Sequence, residues 1–135
     1  GLDVIEEAVE IDVLSSIENV IGSNDGDVII GSNADNTLSG EDGDDLLNGG
    51  QGDDLLLGGE GSDTFTFEGL FGNDTVGDFE VGVDRLDFSD FGPDFAEALV
   101  VSQDGDDALL TFSSDASVRL EGVNSSDFSD DDFIA

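Results

Sequence analysis

The sequence contains no cysteine and no histidine, and only two of its 135 residues, Arg85 and Arg119, carry a positive charge. Without cysteine there is no disulfide and no thiol chemistry. Without histidine there is no imidazole acid–base catalysis, and the lack of both removes zinc sites of the usual kind. The metal chemistry left open is that of hard oxygen ligands. The near-absence of Lys and Arg excludes nucleic acid as a partner, because phosphate binding needs them. No apolar run reaches membrane-spanning length and no N-terminal signal-peptide pattern is present. With Gly1 where an initiator Met would stand, the chain reads as a fragment of a longer polypeptide.

What is abundant is acid. Thirty-five Asp and Glu give a formal charge of -33, so the chain repels itself and must be neutralised before it can compact. The hydrophobic fraction, 37%, lies below the usual range for globular domains, yet ten Phe together with Leu, Val and Ile suffice for a modest core. The length suits a single domain made of a repeat array and a cap, and is too short to hold a separate enzyme as well.

A period of nine residues runs from Gly22 to Thr66 without insertion. The five units are Gly22-Ser-Asn-Asp-Gly-Asp-Val-Ile-Ile, Gly31-Ser-Asn-Ala-Asp-Asn-Thr-Leu-Ser, Gly40-Glu-Asp-Gly-Asp-Asp-Leu-Leu-Asn, Gly49-Gly-Gln-Gly-Asp-Asp-Leu-Leu-Leu and Gly58-Gly-Glu-Gly-Ser-Asp-Thr-Phe-Thr. Position six reads Asp27, Asn36, Asp45, Asp54, Asp63, and position eight reads Ile29, Leu38, Leu47, Leu56, Phe65. Stepping back by nine from Ile29 reaches Val20 and Ile11, so the apolar column is expected to continue upstream. There Glu18 and Val9 at position six, and Val13 and Val4 at position one, no longer fit the turn; residues 1–21 read as metal-poor coils or a lead-in.

Nine residues are too few for a helical hairpin, and Gly at the head with large apolar residues at the tail spells turn, then strand. If each turn reverses direction, successive strands fall in two facing sheets. Units two apart then lie side by side in a parallel sheet, with position eight pointing inward. Turns stacked about 4.8 Å apart bring position-six side chains of alternate units within reach of one ion. The pairs are Asp27 with Asp45, Asp45 with Asp63, and Asn36 with Asp54. Calcium suits them, since it accepts six to eight oxygens at about 2.3–2.6 Å in flexible geometry.

These units resemble the RTX nonapeptide Gly-Gly-x-Gly-x-Asp-x-U-x, a calcium-binding repeat of parallel β-helices. The two units from Gly49 to Thr66 match every defined position; the first two carry Ser23 and Ser32 at the second Gly, and Asn36 departs from Asp. The resemblance implies an all-β fold, a right-handed parallel β-roll with a C-terminal β cap, binding several calcium ions. It also implies carbonyl ligands from positions two and four of one turn and positions one and three of the turn two units on. Here these are Ser23 and Asp25 with Gly40 and Asp42, Ser32 and Ala34 with Gly49 and Gln51, and Glu41 and Gly43 with Gly58 and Glu60. The segment 71–89 resembles the region following the roll in serralysin-type proteases and in alginate epimerase repeat modules, which puts Asp74, Asp78 and Asp84 at the last calcium sites. The roll is expected over 22–67 and the cap over 68–135.

Within the cap, 99–101, 108–112 and 118–120 alternate with turn signals at Asp104-Gly105 and Ser113-Ser114-Asp115, as in a β-meander. The tail Asp132-Phe-Ile-Ala resembles the acidic-then-apolar C-terminus of type I secretion substrates, which implies the type I secretion machinery as a partner and an extracellular destination. No catalytic residue is assigned: Asp44 and Asp45 are adjacent on a strand and point to opposite faces, so they make no glycosidase pair. The remaining acids, among them Asp25, Asp42, Asp44 and Asp53, are expected to solvate the surface or hold ions loosely. The expected function is a calcium-folded export module of a larger protein that carries its catalytic domain elsewhere. The alternative is a calcium-dependent module for an alginate-type polysaccharide, against which the charge argues.

Overall fold

The computed structural model describes residues 2–4, 11–13, 19–94 and 98–134. Each nonapeptide spends six residues on its turn and three on a strand. The strands are β1 (Leu2–Val4), β2 (Ile11–Val13), β3 (Asn19–Ile21), β4 (Val28–Ile30), β5 (Thr37–Ser39), β6 (Leu46–Asn48), β7 (Leu55–Leu57), β8 (Thr64–Thr66), β9 (Asn73–Val76) and β10 (Arg85–Asp87). They alternate between two sheets. One carries β1-β3-β5-β7-β9 in parallel and the other β2-β4-β6-β8-β10. The result is a β-solenoid whose middle strand residues, Val20, Ile29, Leu38, Leu47, Leu56 and Phe65, are all buried between the sheets. Val76 and Leu86 extend the same buried layer beyond the repeats.

Parallel neighbours are 18 residues apart through the repeats, as in Val28↔Leu46 and Thr37↔Leu55. The equivalent steps from Asp54 to Asp74 and from Asp63 to Asp84 lengthen to 20 and 21. The added residues lie in loops that bring Phe67, Phe71 and Phe79 into the core, where Phe88, just after β10, joins them. Phe67 stacks on Phe88 with ring centroids 5.1 Å apart, and Phe112 lies 4.9 Å from Phe88.

The C-terminal region adds to both sheets. β11 (Val100–Asp104), β12 (Asp107–Ser113) and β13 (Ala116–Leu120) form the antiparallel meander expected from the turn signals. β13 then pairs in parallel with β9, so the meander prolongs the first sheet. β14 (Phe133–Ile134) pairs in parallel with β10 and ends the second.

The upstream coils pair as expected, but in a different register. β2 places Asp12, not Ile11, opposite Ile29, and Ile11 opposite Val28; β1 likewise sets Asp3 opposite Val20. The ninefold column therefore stops at Val20. Register in a short strand is fixed by the turn that feeds it, and no Gly-and-Asp turn precedes β3.

Candidate metal centre

The turns bring the position-six side chains into two vertical ladders. In one, the N–H of Asp27 donates to Oδ1 of Asp45 at 2.7 Å, that of Asp45 to Asp63 at 2.9 Å, and that of Asp63 to Asp84 at 2.9 Å. In the other, Asn36 donates to Asp54 at 2.7 Å and Asp54 to Asp74 at 2.9 Å. Asp74 and Asp84 thus continue the columns where the nonapeptide pattern has ended. All of these side chains are buried.

At Asp45, Asp54, Asp63, Asp74 and Asp84 one carboxylate oxygen is spent on this backbone bond, and at Asp45, Asp54 and Asp63 the other, Oδ2, is buried without a hydrogen-bond partner. A buried carboxylate oxygen left unpaired is costly, and a bound cation removes that cost. Burial pushes the Asp45 carboxyl up to about 6, those of Asp54 and Asp63 to about 7, and that of Asp74 to about 8, neighbouring carboxylates adding to the rise; Asp84 is raised by burial too.

The first glycine of each unit explains itself here. A Cβ on Gly40, Gly49 or Gly58 would overlap Oδ2 of Asp45, Asp54 or Asp63 respectively. The carbonyl oxygen of Gly58 also lies against Gly40, and those of Gly40 and Gly49 lie against Gly22 and Gly31, beside Asp27 and Asn36. The carbonyls of Gly40, Gly49 and Gly58 and the position-six oxygens of Asp27, Asn36 and Asp45 thus gather around Gly22, Gly31 and Gly40. Among the described residues no three acidic side chains converge on one point. An ion held here would add main-chain carbonyl oxygens to the carboxylates. The site is anionic and lined by carboxylate and carbonyl oxygens, the hard donors that calcium takes.

The other expected ligands sit less uniformly. Glu41 O accepts the N–H of Glu60 at 2.8 Å and Glu60 O accepts that of Gly43 at 2.9 Å, with Asp42 and Glu60 forming a parallel bridge. Ser32 O lies against Gly50 and Ala34 O against Gly52, while Gln51 is exposed at the turn tip. The N–H of Asp25 donates to Ser23 Oγ at 3.1 Å. Asp78 accepts the N–H groups of Gly58 and Gly59 at 2.9 and 2.8 Å, one on each oxygen.

A further ladder, at position five, was not expected from the sequence. The position-five carboxylates, read there as surface solvation, hold neighbouring turns: Asp35 accepts the N–H of Asp53 at 2.8 Å, Asp53 that of Asn73 at 2.9 Å, and Asp44 that of Ser62 at 2.8 Å. The recurrence of Asp35, Asp44 and Asp53 at position five was the available signal.

The family model for the RTX calcium-binding nonapeptide repeat matches at residues 21–56, 30–65 and 43–76. Among solved structures, the AlgE6R3 subunit of the Azotobacter vinelandii mannuronan C5-epimerase is 31% identical with a TM-score of 0.71, over 95% of this chain and 84% of that one. The chain belongs to the RTX calcium-binding repeat family. The AlgE6R2 subunit of the same epimerase is 29% identical with a TM-score of 0.54, over 98% of the RTX module and 89% of that chain. The extracellular lipase LipA of Serratia marcescens, at 16% identity and a TM-score of 0.52, shares the fold across 92% of the module, which spans 40% of the lipase. Among curated proteins nothing matches the module.

Proposed function

We propose that this module folds when calcium binds and serves as the folding and export appendage of a larger secreted protein, with no catalysis of its own. The observation that carries this reading is the set of buried, partnerless oxygens on Asp45, Asp54 and Asp63 within a chain of charge -33. A calcium ion supplies two positive charges and accepts six to eight oxygens. Asp45 with Asp63, Asp54 with Asp74, and Asp63 with Asp84 are the carboxylate pairs that would hold it, together with turn carbonyls such as those of Gly58, Glu41 and Gly43. At the low free calcium of a cytosol these carboxylates repel one another and keep the chain extended, which suits passage through a narrow secretion channel. Outside the cell, each ion bound only by the folded state stabilises it by about 2.7 kcal/mol at a hundred times its dissociation constant, so several sites together decide whether the roll exists. Circular dichroism with excess calcium and with EGTA tests this. A β spectrum that appears with calcium and is lost on chelation is expected; one indifferent to chelation overturns the reading.

A second reading is favoured by the two epimerase subunits among the relatives: calcium-dependent binding of an alginate-type polyuronate. Arg119 is engaged by Asp104 at 2.7 Å and Asp107 at 3.2 Å, so direct cationic recognition would fall to exposed Arg85. Calorimetry against alginate oligomers in millimolar calcium, comparing the native module with Arg85→Ala, separates the two: heat that disappears in the variant supports the second.

A further inference from the structure

The five turns are of two kinds. In the third to fifth units, positions two and four have positive φ: Glu41 80° and Gly43 114°, Gly50 86° and Gly52 98°, Gly59 94° and Gly61 123°. Glu41 is the one non-glycine residue so placed among the described residues, and Ser23, Asp25, Ser32 and Ala34, at the same positions of the first two units, are not. The side chains differ in the same way. The N–H of Ser23 donates to Asp27 Oδ2 at 2.7 Å, and its hydroxyl lies 3.1 Å from both Asp27 oxygens. The N–H of Ser32 donates to Asn36 Oδ1 at 2.8 Å, and its hydroxyl accepts from Asn36 Nδ2 at 3.3 Å. In the later turns these donors turn elsewhere: the N–H of Gly50 goes to Asn48 Oδ1 at 3.0 Å and that of Gly59 to Asp78 Oδ2 at 2.8 Å.

Each pocket lies where a position-six oxygen meets position one of its own unit, so the pockets can be compared one by one. At Gly22 and Gly31 the oxygen facing the pocket is that of Asp27 or Asn36, already hydrogen-bonded by its serine. At Gly40, Gly49 and Gly58 it is Oδ2 of Asp45, Asp54 or Asp63, each buried and unpartnered. Resting on the calcium reading above, we propose that Ser23 and Ser32 close the first two turns in place of an ion, so that the module takes three calcium ions, at the pockets of Asp45, Asp54 and Asp63. Both serine N–H groups, and at Ser23 the hydroxyl as well, donate where a cation would otherwise sit, and a carboxamide at Asn36 demands no charge compensation. The first two rungs then add backbone pairing and apolar burial to a roll whose later turns depend on metal.

Native mass spectrometry and calcium calorimetry on the full chain test the count. Three ions per chain are expected, matching the three partnerless oxygens. Ser23→Ala combined with Ser32→Ala is expected to keep that count while raising the midpoint calcium concentration for folding by about two- to fourfold. Restoring the motif with Ser23→Gly, Asp25→Gly, Ser32→Gly, Ala34→Gly and Asn36→Asp is expected to add ions. Five ions on the native chain, or loss of an ion in the double Ala variant, overturns the assignment while leaving calcium binding intact. No bound ion at all overturns the calcium reading itself.

Discussion

Asp63 shows how much a single carboxylate does in this fold. Its Oδ1 accepts the N–H of Asp45, its own N–H donates to Asp84, and its Oδ2 faces the pocket at Gly58. Asp63→Asn keeps a carbonyl oxygen for the backbone bond and removes the charge, so calcium affinity is expected to fall by about tenfold or more with little change in the strand pairing, read by calcium-titrated circular dichroism. Asp53, exposed and at position five, makes the opposite case. Asp53→Ala removes the acceptor for Asn73 and is expected to cost about 0.5–1.5 kcal/mol in denaturant unfolding with the number of bound ions unchanged. The raised carboxyls also set a pH dependence for the calcium-free chain. Their folded values, from about 6 at Asp45 to about 8 at Asp74, lie above the ordinary value of 3.8, so the folded state holds protons that the unfolded state releases. The penalty on folding is absent below about 3.8 and grows as pH rises through 6 to 8. In buffer freed of calcium beforehand, β structure is therefore expected to increase on acidification from pH 8 towards pH 4.5, followed by circular dichroism at low protein concentration.

At the scale of the element, a three-residue strand is too short to be stable alone, and it persists because one inward side chain per rung joins a continuous column. Leu47 sits mid-column and is fully buried; Leu47→Ala is expected to cost about 2–5 kcal/mol in saturating calcium by urea unfolding, with the ion sites left in place. The final rung is held differently. Buried Asp132 accepts the N–H of Gly82 at 2.9 Å and that of Ser129 at 2.8 Å, and so ties β14 to the loop ahead of β10. Asp132→Ala, which leaves those donors unpaired, is expected to destabilise the folded module by about 1–3 kcal/mol and to raise hydrogen exchange at β10 and β14 first. The strands of the roll were legible because the period of nine repeats without a break, which chance composition does not produce. The register of β1 and β2 was not, because nothing in residues 1–21 supplies the turn that fixes it.

For the molecule as a whole, charge and core pull in opposite directions. The buried layer is one side chain thick through the repeats and thickens only where the phenylalanines gather near the cap. Against it stand 33 uncompensated negative charges, which monovalent salt screens over about 10 Å at 0.1 M. Raising sodium chloride in EGTA is therefore expected to shrink the chain in small-angle scattering without creating β structure, whereas millimolar calcium produces both. Screening lowers the repulsion between distant charges; it does not supply a partner for an oxygen buried on Asp54.

The sequence by itself determined the rung, the two alternating sheets, the inward column from Val20 to Phe65 and the position-six ladder, because each is written in a local period that every unit repeats. Only the tertiary structure decided how lengthened loops carry Asp74 and Asp84, which the resemblance already places at the last calcium sites, onto the ladders, that position-five carboxylates cap neighbouring turns, and that the meander and the tail prolong the two sheets. It also separated the serine-closed turns from the glycine turns. The lengthened loops and the docking of the tail depend on pairings between residues about 20 to 50 positions apart. Such contacts follow from how the stacked rungs meet in space, and no period in the chain encodes them.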